Sequence, residues 1–139
     1  MNKDIEAKWC AWLRDPANKQ TQGALQKDGR FCCLGGLCEV YRKETGKGEW
    51  REHARSYSDE CEPKMKFSFL DAVGTLPYEV ASWAGIMNYY DVSDPEVLTP
   101  FGRYKLSTLN DGFIPGPEPG TRRLTFAEIA DIIEGNPDL

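Results

Sequence analysis

The fold of this chain turns on residues 24–41, Ala24-Leu25-Gln26-Lys27-Asp28-Gly29-Arg30-Phe31-Cys32-Cys33-Leu34-Gly35-Gly36-Leu37-Cys38-Glu39-Val40-Tyr41. Asp28-Gly29 is a strong short-range turn signal, and the flanks Ala24-Leu25-Gln26 and Arg30-Phe31-Cys32 read as the two strands of a hairpin around it. The second strand runs straight into Leu34, Leu37, Cys38 and Tyr41, which recur at i, i+3, i+4 and i+7 and so share one helical face. A β-hairpin therefore feeds a strand-to-helix elbow, and Gly46 is the expected stop just past the helix.

Upstream, Ile5, Trp9, Trp12 and Leu13 form a helical stripe within residues 2–14. Asp15-Pro16 closes it, because the residue before a proline is pushed out of the α region. Downstream, residues 46–63 mix both charge signs with Gly, Ser and Pro and show no period, so a surface loop or insertion is expected there. Met65, Phe67 and Phe69 then alternate with Lys64, Lys66 and Ser68 as a half-buried strand does. Pro77 to Ala84 reads as a two-turn helix ended by Gly85, and residues 86–102 as turn-rich, ahead of a short apolar segment from Leu106 to Leu109.

Gly and Pro crowd residues 112–120, which predicts a loop. Thr125-Phe126-Ala127-Glu128 is a capping box, with Leu124 and Ile129 as its hydrophobic staple, and it opens a last helix that Gly135 and Pro137 end. A hairpin plus one later strand, without βαβ alternation, predicts an α+β fold: about four helices packed on one face of a small antiparallel sheet. With 139 residues the whole of 1–139 is expected to be one domain.

There are 17 Lys plus Arg against 22 Asp plus Glu, a net charge of −5, which argues against nonspecific nucleic-acid binding. No run approaches the roughly 18 apolar residues of a membrane span, and the first twenty residues do not read as a signal peptide, so a cytoplasmic protein is expected. Five cysteines, odd in number and irregularly spaced, suit reduced thiols. Cys32, Cys33 and Cys38 lack zinc-ligand spacing, and no metal or cofactor is expected.

Four features could carry chemistry. Cys33 stands at the first turn of the elbow helix, where orphan N–H groups and the macrodipole favour a thiolate. Cys33-Leu34-Gly35-Gly36-Leu37 is similar to the nucleophile segment of papain-like and NlpC-like cysteine hydrolases, which implies Cys33 as nucleophile. Such an enzyme needs a base, and His53 is the one histidine. The competing reading makes these cysteines packing residues and the glycines a means of close helix approach. Asn110-Asp111-Gly112 could aim an amide and a carboxylate at a ligand, or could simply be a tight turn. Arg103, Lys105, Arg122 and Arg123 bracket that turn in sequence and could hold a phosphate, or be solvated. Finally, residues 71–99 contain five acids, no Lys or Arg, and Tyr78, Trp83, Tyr89 and Tyr90, a composition suited to a protein interface centred on Tyr89, Tyr90 and Asp91.

Gln22-Gly23-Ala24-Leu25, Cys32 to Cys38, Leu76 to Gly85, Leu109-Asn110-Asp111 and Phe126 to Glu134 together resemble a family of small uncharacterised proteins of bacteriophages and prophages. The pattern spans most of the chain, and the loop at 112–120 is longer here than in that family. The resemblance implies a phage-encoded accessory protein in the host cytoplasm that counters host defence. Three functions are expected in turn. The first is sequestration of a small nucleotide-derived signal by Cys33, Gly35, Asn110, Asp111, Arg103, Arg122 and Arg123. The second is blockade of a host protein through Tyr89, Tyr90 and Asp91, and the third is cysteine hydrolysis. Homo-oligomers are compatible with all three.

Overall fold

A computed structural model describes residues 1–53, 66–86, 92–112, 114–115 and 121–139. The elbow forms as expected. Strands β1 (Gln26–Lys27) and β2 (Arg30–Phe31) pair antiparallel about Asp28-Gly29, and helix α2 (Cys33–Thr45) follows at once, stopped by Gly46 in the left-handed region. The first helix, α1 (Lys3–Arg14), is capped by Asn2, whose side chain accepts the N–H groups of Asp4 and Ile5.

Beyond residue 46 the structure departs from the loop expected over 46–63. Trp50–His53 is a strand, β3, paired along its length with β4 (Lys66–Phe69), and β4 also pairs with β1. The sheet order is β2-β1-β4-β3, all antiparallel. The remainder of that expected loop, 54–63, lies outside the described residues, as do Lys64 and Met65 of the expected strand. Trp-Arg-Glu-His has no apolar alternation, so only its tertiary partners make it a strand. The Trp50 ring packs 4.8 Å from Phe69 and 5.6 Å from Phe31, and its indole N–H donates to the Glu39 carboxylate.

Glu39 is buried on α2 and also accepts from Arg42 Nε and Nη2 at 3.1 and 3.0 Å. Burial pushes its pKa up, but hydrogen bonds from Arg42 and Trp50 outweigh it and hold the pKa below the ordinary glutamate value. A depressed carboxylate pKa contributes stability that is present above the unfolded value of about 4.3 and is lost as pH falls through the lower folded value. Glu39→Gln should therefore flatten the acid limb of stability against pH. Urea midpoints followed by tryptophan emission below pH ~5 check this, and an unchanged slope would exclude Glu39 as its source.

Residues 86–102, expected to be turns, hold a second correction. Strands β5 (Glu96–Thr99) and β6 (Gly102–Lys105) make a hairpin about Pro100-Phe101, and Thr99 Oγ locks the turn by donating to Gly102 O and accepting the Phe101 N–H. Leu106–Asp111 is a short helix, α4, started by Asp94, whose carboxylate takes the backbone N–H and the hydroxyl of Ser107. Asp94 is thirteen positions upstream, too far for a local capping signature to register.

Helix α3 is Tyr78–Ala84, with Pro77 as its cap rather than its first residue. Within the expected 112–120 loop Ile114–Pro115 is a two-residue strand, β7, paired with β8 (Thr121–Arg122) just past it, while 113 and 116–120 lie outside the described residues. Helix α5 (Phe126–Glu134) has both halves of its capping box, and Leu124 and Ile129 are buried. The class is α+β as expected, with five helices among the described residues rather than about four. Helix α1 packs against both α2 and α5, and Arg14 ties it to Asp131 and Glu134.

Candidate functional site

The elbow and the Asn110 turn do meet in space, and what joins them is Asn110 itself. Its fully buried side chain accepts the Cys33 backbone N–H at 3.1 Å and Gln20 Nε2 at 2.9 Å, and donates to Thr21 O at 2.7 Å and Asp111 Oδ1 at 3.0 Å. An amide side chain offers two donors and two acceptor sites, so its capacity is filled. Asp111 also accepts the Gly23 N–H at 3.2 Å, and Gln20 Nε2 donates to Leu124 O. This is an internal hub that pins the loop before β1, the start of α2 and the chain entering α5 to one another. Among the described residues no buried side-chain N or O lacks a hydrogen-bond partner.

Cys33 and Gly35 are equally enclosed. Cys32 is the cap of α2, its sulfur accepting the Gly35 N–H, and Cys33 follows it, fully buried, with Sγ donating to Leu106 O at 3.5 Å. The helix start does not make Cys33 a thiolate, because burial pushes its pKa well above the usual thiol value, with nearby Cys32, Asp94 and Asp111 acting in the same direction. Burial also raises Cys38 well above that value, and Cys10 and Cys32 to about 12. The His53 side chain and Cys61 lie outside the described side chains. In the folded protein Cys10, Cys32, Cys33 and Cys38 should resist iodoacetamide near neutral pH and react only on unfolding, as peptide mapping will show. Rapid labelling of Cys33 in the native state would restore the hydrolase reading.

Of the four basic residues, Arg123 lies against the Asn110-Asp111-Gly112 turn, its Cγ 2.6 Å from where a Gly112 β-carbon would stand. Arg103 and Lys105 are on β6, and Arg123 donates to Gln22 Oε1 at 3.2 Å. Arg122 turns instead to α5, where Nη2 meets Glu128 Oε2 at 2.6 Å. Partial burial raises the pKa of Glu128, but the Thr125 backbone N–H and Arg122 reverse this and hold it below the ordinary value. Tyr89, Tyr90 and Asp91 lie outside the described residues. In the same segment Trp83 packs 5.3 Å from Tyr41, whereas Tyr78 is exposed.

A concave surface that sequence reasoning missed lies between the β5–β6 turn and α5. It is a groove of about 300 Å³ lined by Thr99, Pro100, Phe101, Arg122, Leu124, Glu128, Asp131 and Ile132. Its exposed large hydrophobic is Phe101, 49 % exposed on the turn that Thr99 locks. Arg122, Leu124 and Glu128 carry local signals of their own, but none that joins them to Phe101, since the groove exists only once the hairpin stands beside α5. Among the described residues no cluster of His, Cys, Asp or Glu could hold a metal ion, and no helix is long and apolar enough to cross a membrane.

The molecule is thus an α+β protein with a polar hub sealed inside it and a shallow groove on its surface. It belongs to the family described as Domain of unknown function (DUF8296), whose model matches residues 1–137. No curated protein and no solved structure matches the chain.

Proposed function

We propose that the protein is a phage-encoded accessory binding protein that engages a host protein through the groove between the β5–β6 turn and α5. The observation that carries this reading is Phe101. A half-exposed aromatic on a pre-ordered turn, beside a concave surface, is the kind of anchor that dominates protein interfaces, because it buries a large area with little entropy to lose. The phage setting and the role against host defence rest on the motif resemblance given above.

Sequestration of a nucleotide is less well supported. Cys33, Gly35 and Asn110 are buried, and a phosphate reaching Arg122 would compete with Glu128, which already meets it at 2.6 Å in a charge-assisted contact. Hydrolysis by Cys33 is opposed by burial of its thiol.

Native mass spectrometry of the protein purified from bacterial host cells tests the proposal. The expected result is a protein complex of fixed stoichiometry that Phe101→Ala dissociates while the variant keeps its circular dichroism spectrum. A retained species of nucleotide mass, unaffected by Phe101→Ala, would overturn the proposal in favour of sequestration.

A further inference from the structure

Resting on the reading that this groove holds a protein segment, we infer the chemistry of that segment: it is short, apolar and cationic. It lays one large aliphatic or aromatic side chain on Phe101 and Ile132 and brings a Lys or Arg to the carboxylate of Asp131.

The charge follows from what surrounds the groove. Helix α5 carries Glu128, Asp131 and Glu134 and no basic residue, and among the described residues the cations that meet these three are Arg122 and Arg14. Three carboxylates against two guanidiniums leave one negative charge over, on a chain whose net charge is already −5. The surplus is accessible at Asp131, whose side chain is 75 % exposed and is joined to Arg14 through Oδ1. Arg122, the one cation in the lining, offers less to an anion. Glu128 engages both of its terminal nitrogens and is itself tied into the α5 cap by the Thr125 backbone N–H and hydroxyl. An incoming anion would compete with Glu128 for Arg122, whereas an incoming cation would share the exposed carboxylate of Asp131 with Arg14. Electrostatic complementarity of this kind selects the partner and its rate of encounter more than it adds affinity.

The apolar half follows from Phe101, Pro100, Leu124 and Ile132, which give the groove an apolar lining between its charged edges. A volume of about 300 Å³ is at the lower end of the range for ligand pockets, so it takes one or two large side chains rather than a whole helix. Area burial on Phe101 then supplies affinity, and Asp131 supplies selection.

A displayed library of random peptides, selected against the full chain, tests this. Enriched sequences are expected to pair Lys or Arg with Leu, Ile, Phe or Trp. Binding of the synthesised winners should weaken about tenfold or more in Phe101→Ala, as for a central aromatic anchor. In Asp131→Asn it should weaken about two- to fivefold, as for an exposed ion pair, and this second loss should shrink as salt is raised. Both variants alter exposed side chains, and circular dichroism verifies that they fold. Enrichment of acidic or uncharged peptides that still require Phe101 would overturn the charge assignment and leave the docking reading standing. Failure to recover any Phe101-dependent peptide would overturn both, and a homodimer that Phe101→Ala dissociates would assign the groove to a second copy of the chain instead.

Discussion

Replacing Asn110 by Ala is expected to cost about 3–5 kcal/mol of folding stability, far more than removing a surface turn residue would. The truncation deletes four hydrogen bonds at once. It also leaves the Cys33 N–H and the Thr21 carbonyl without their partner, and each orphaned buried group costs about 1–3 kcal/mol. Urea unfolding followed by tryptophan emission measures the loss. Because Asn110 ties α4 to the loop before β1 and to the start of α2, the variant should also lose hydrogen-exchange protection at Cys33 and Gly23 together. A loss below about 1 kcal/mol would mean that water replaces the amide and that the hub is not structural. A ligand-contacting asparagine would behave in the opposite way, with stability kept and binding lost.

The second large effect is expected at Gly35. A β-carbon built there lies 2.0 Å from the Leu25 carbonyl oxygen, a main-chain atom that already accepts the Cys32 N–H at 3.1 Å. A flexible side chain could move away, but this carbonyl holds the hairpin against the first turn of α2. Gly35→Ala should therefore destabilise by about 3 kcal/mol or more, at the upper end for overpacking, and thermal unfolding will register it. Gly74→Ala is the control. A β-carbon there has nothing within 4 Å and the backbone needs no positive φ, so that variant should be neutral or slightly stabilising. Equal behaviour of the two would mean that α2 and β1 can separate freely.

These two residues show where reading the chain succeeded and where it stopped. The Gly35-Gly36 pair could be read as permitting a close helix approach. The structure bears this out, with β-carbons colliding with Leu25 at one position and with the Trp12 ring at the next. Whether the same elbow also bound a ligand was not legible, because that depends on whether Cys33 and Asn110 face solvent. Cys33 is covered where α4, a six-residue helix too short for periodicity to announce, sets Leu106 O on its sulfur, and Asn110 on that helix is covered by Gln20, Thr21 and Cys33.

Elements whose signals are local could be read directly. Asp28-Gly29 specifies its hairpin through backbone conformation, the stripe of α1 through 3.6-residue spacing, and the α5 start through a capping box that closes within four residues. By itself, then, the sequence determined the α+β class, the hairpin-to-helix elbow, helices α1, α2, α3 and α5 and strand β4. Tertiary structure alone decided the rest. Strand β3 exists because Trp50 finds Phe31, Phe69 and Glu39. Helix α4 starts where Asp94 reaches Ser107, and Asn110 becomes a sealed hub because Gln20, Thr21 and Cys33 arrive around it. The groove at Phe101 appears only when the β5–β6 turn stands beside α5. The physical reason is the range of the interactions. Backbone preference and periodicity act over a few residues and are written in the local sequence. Burial, and the pairing of polar groups tens of residues apart, is set only by which segments the whole fold brings together.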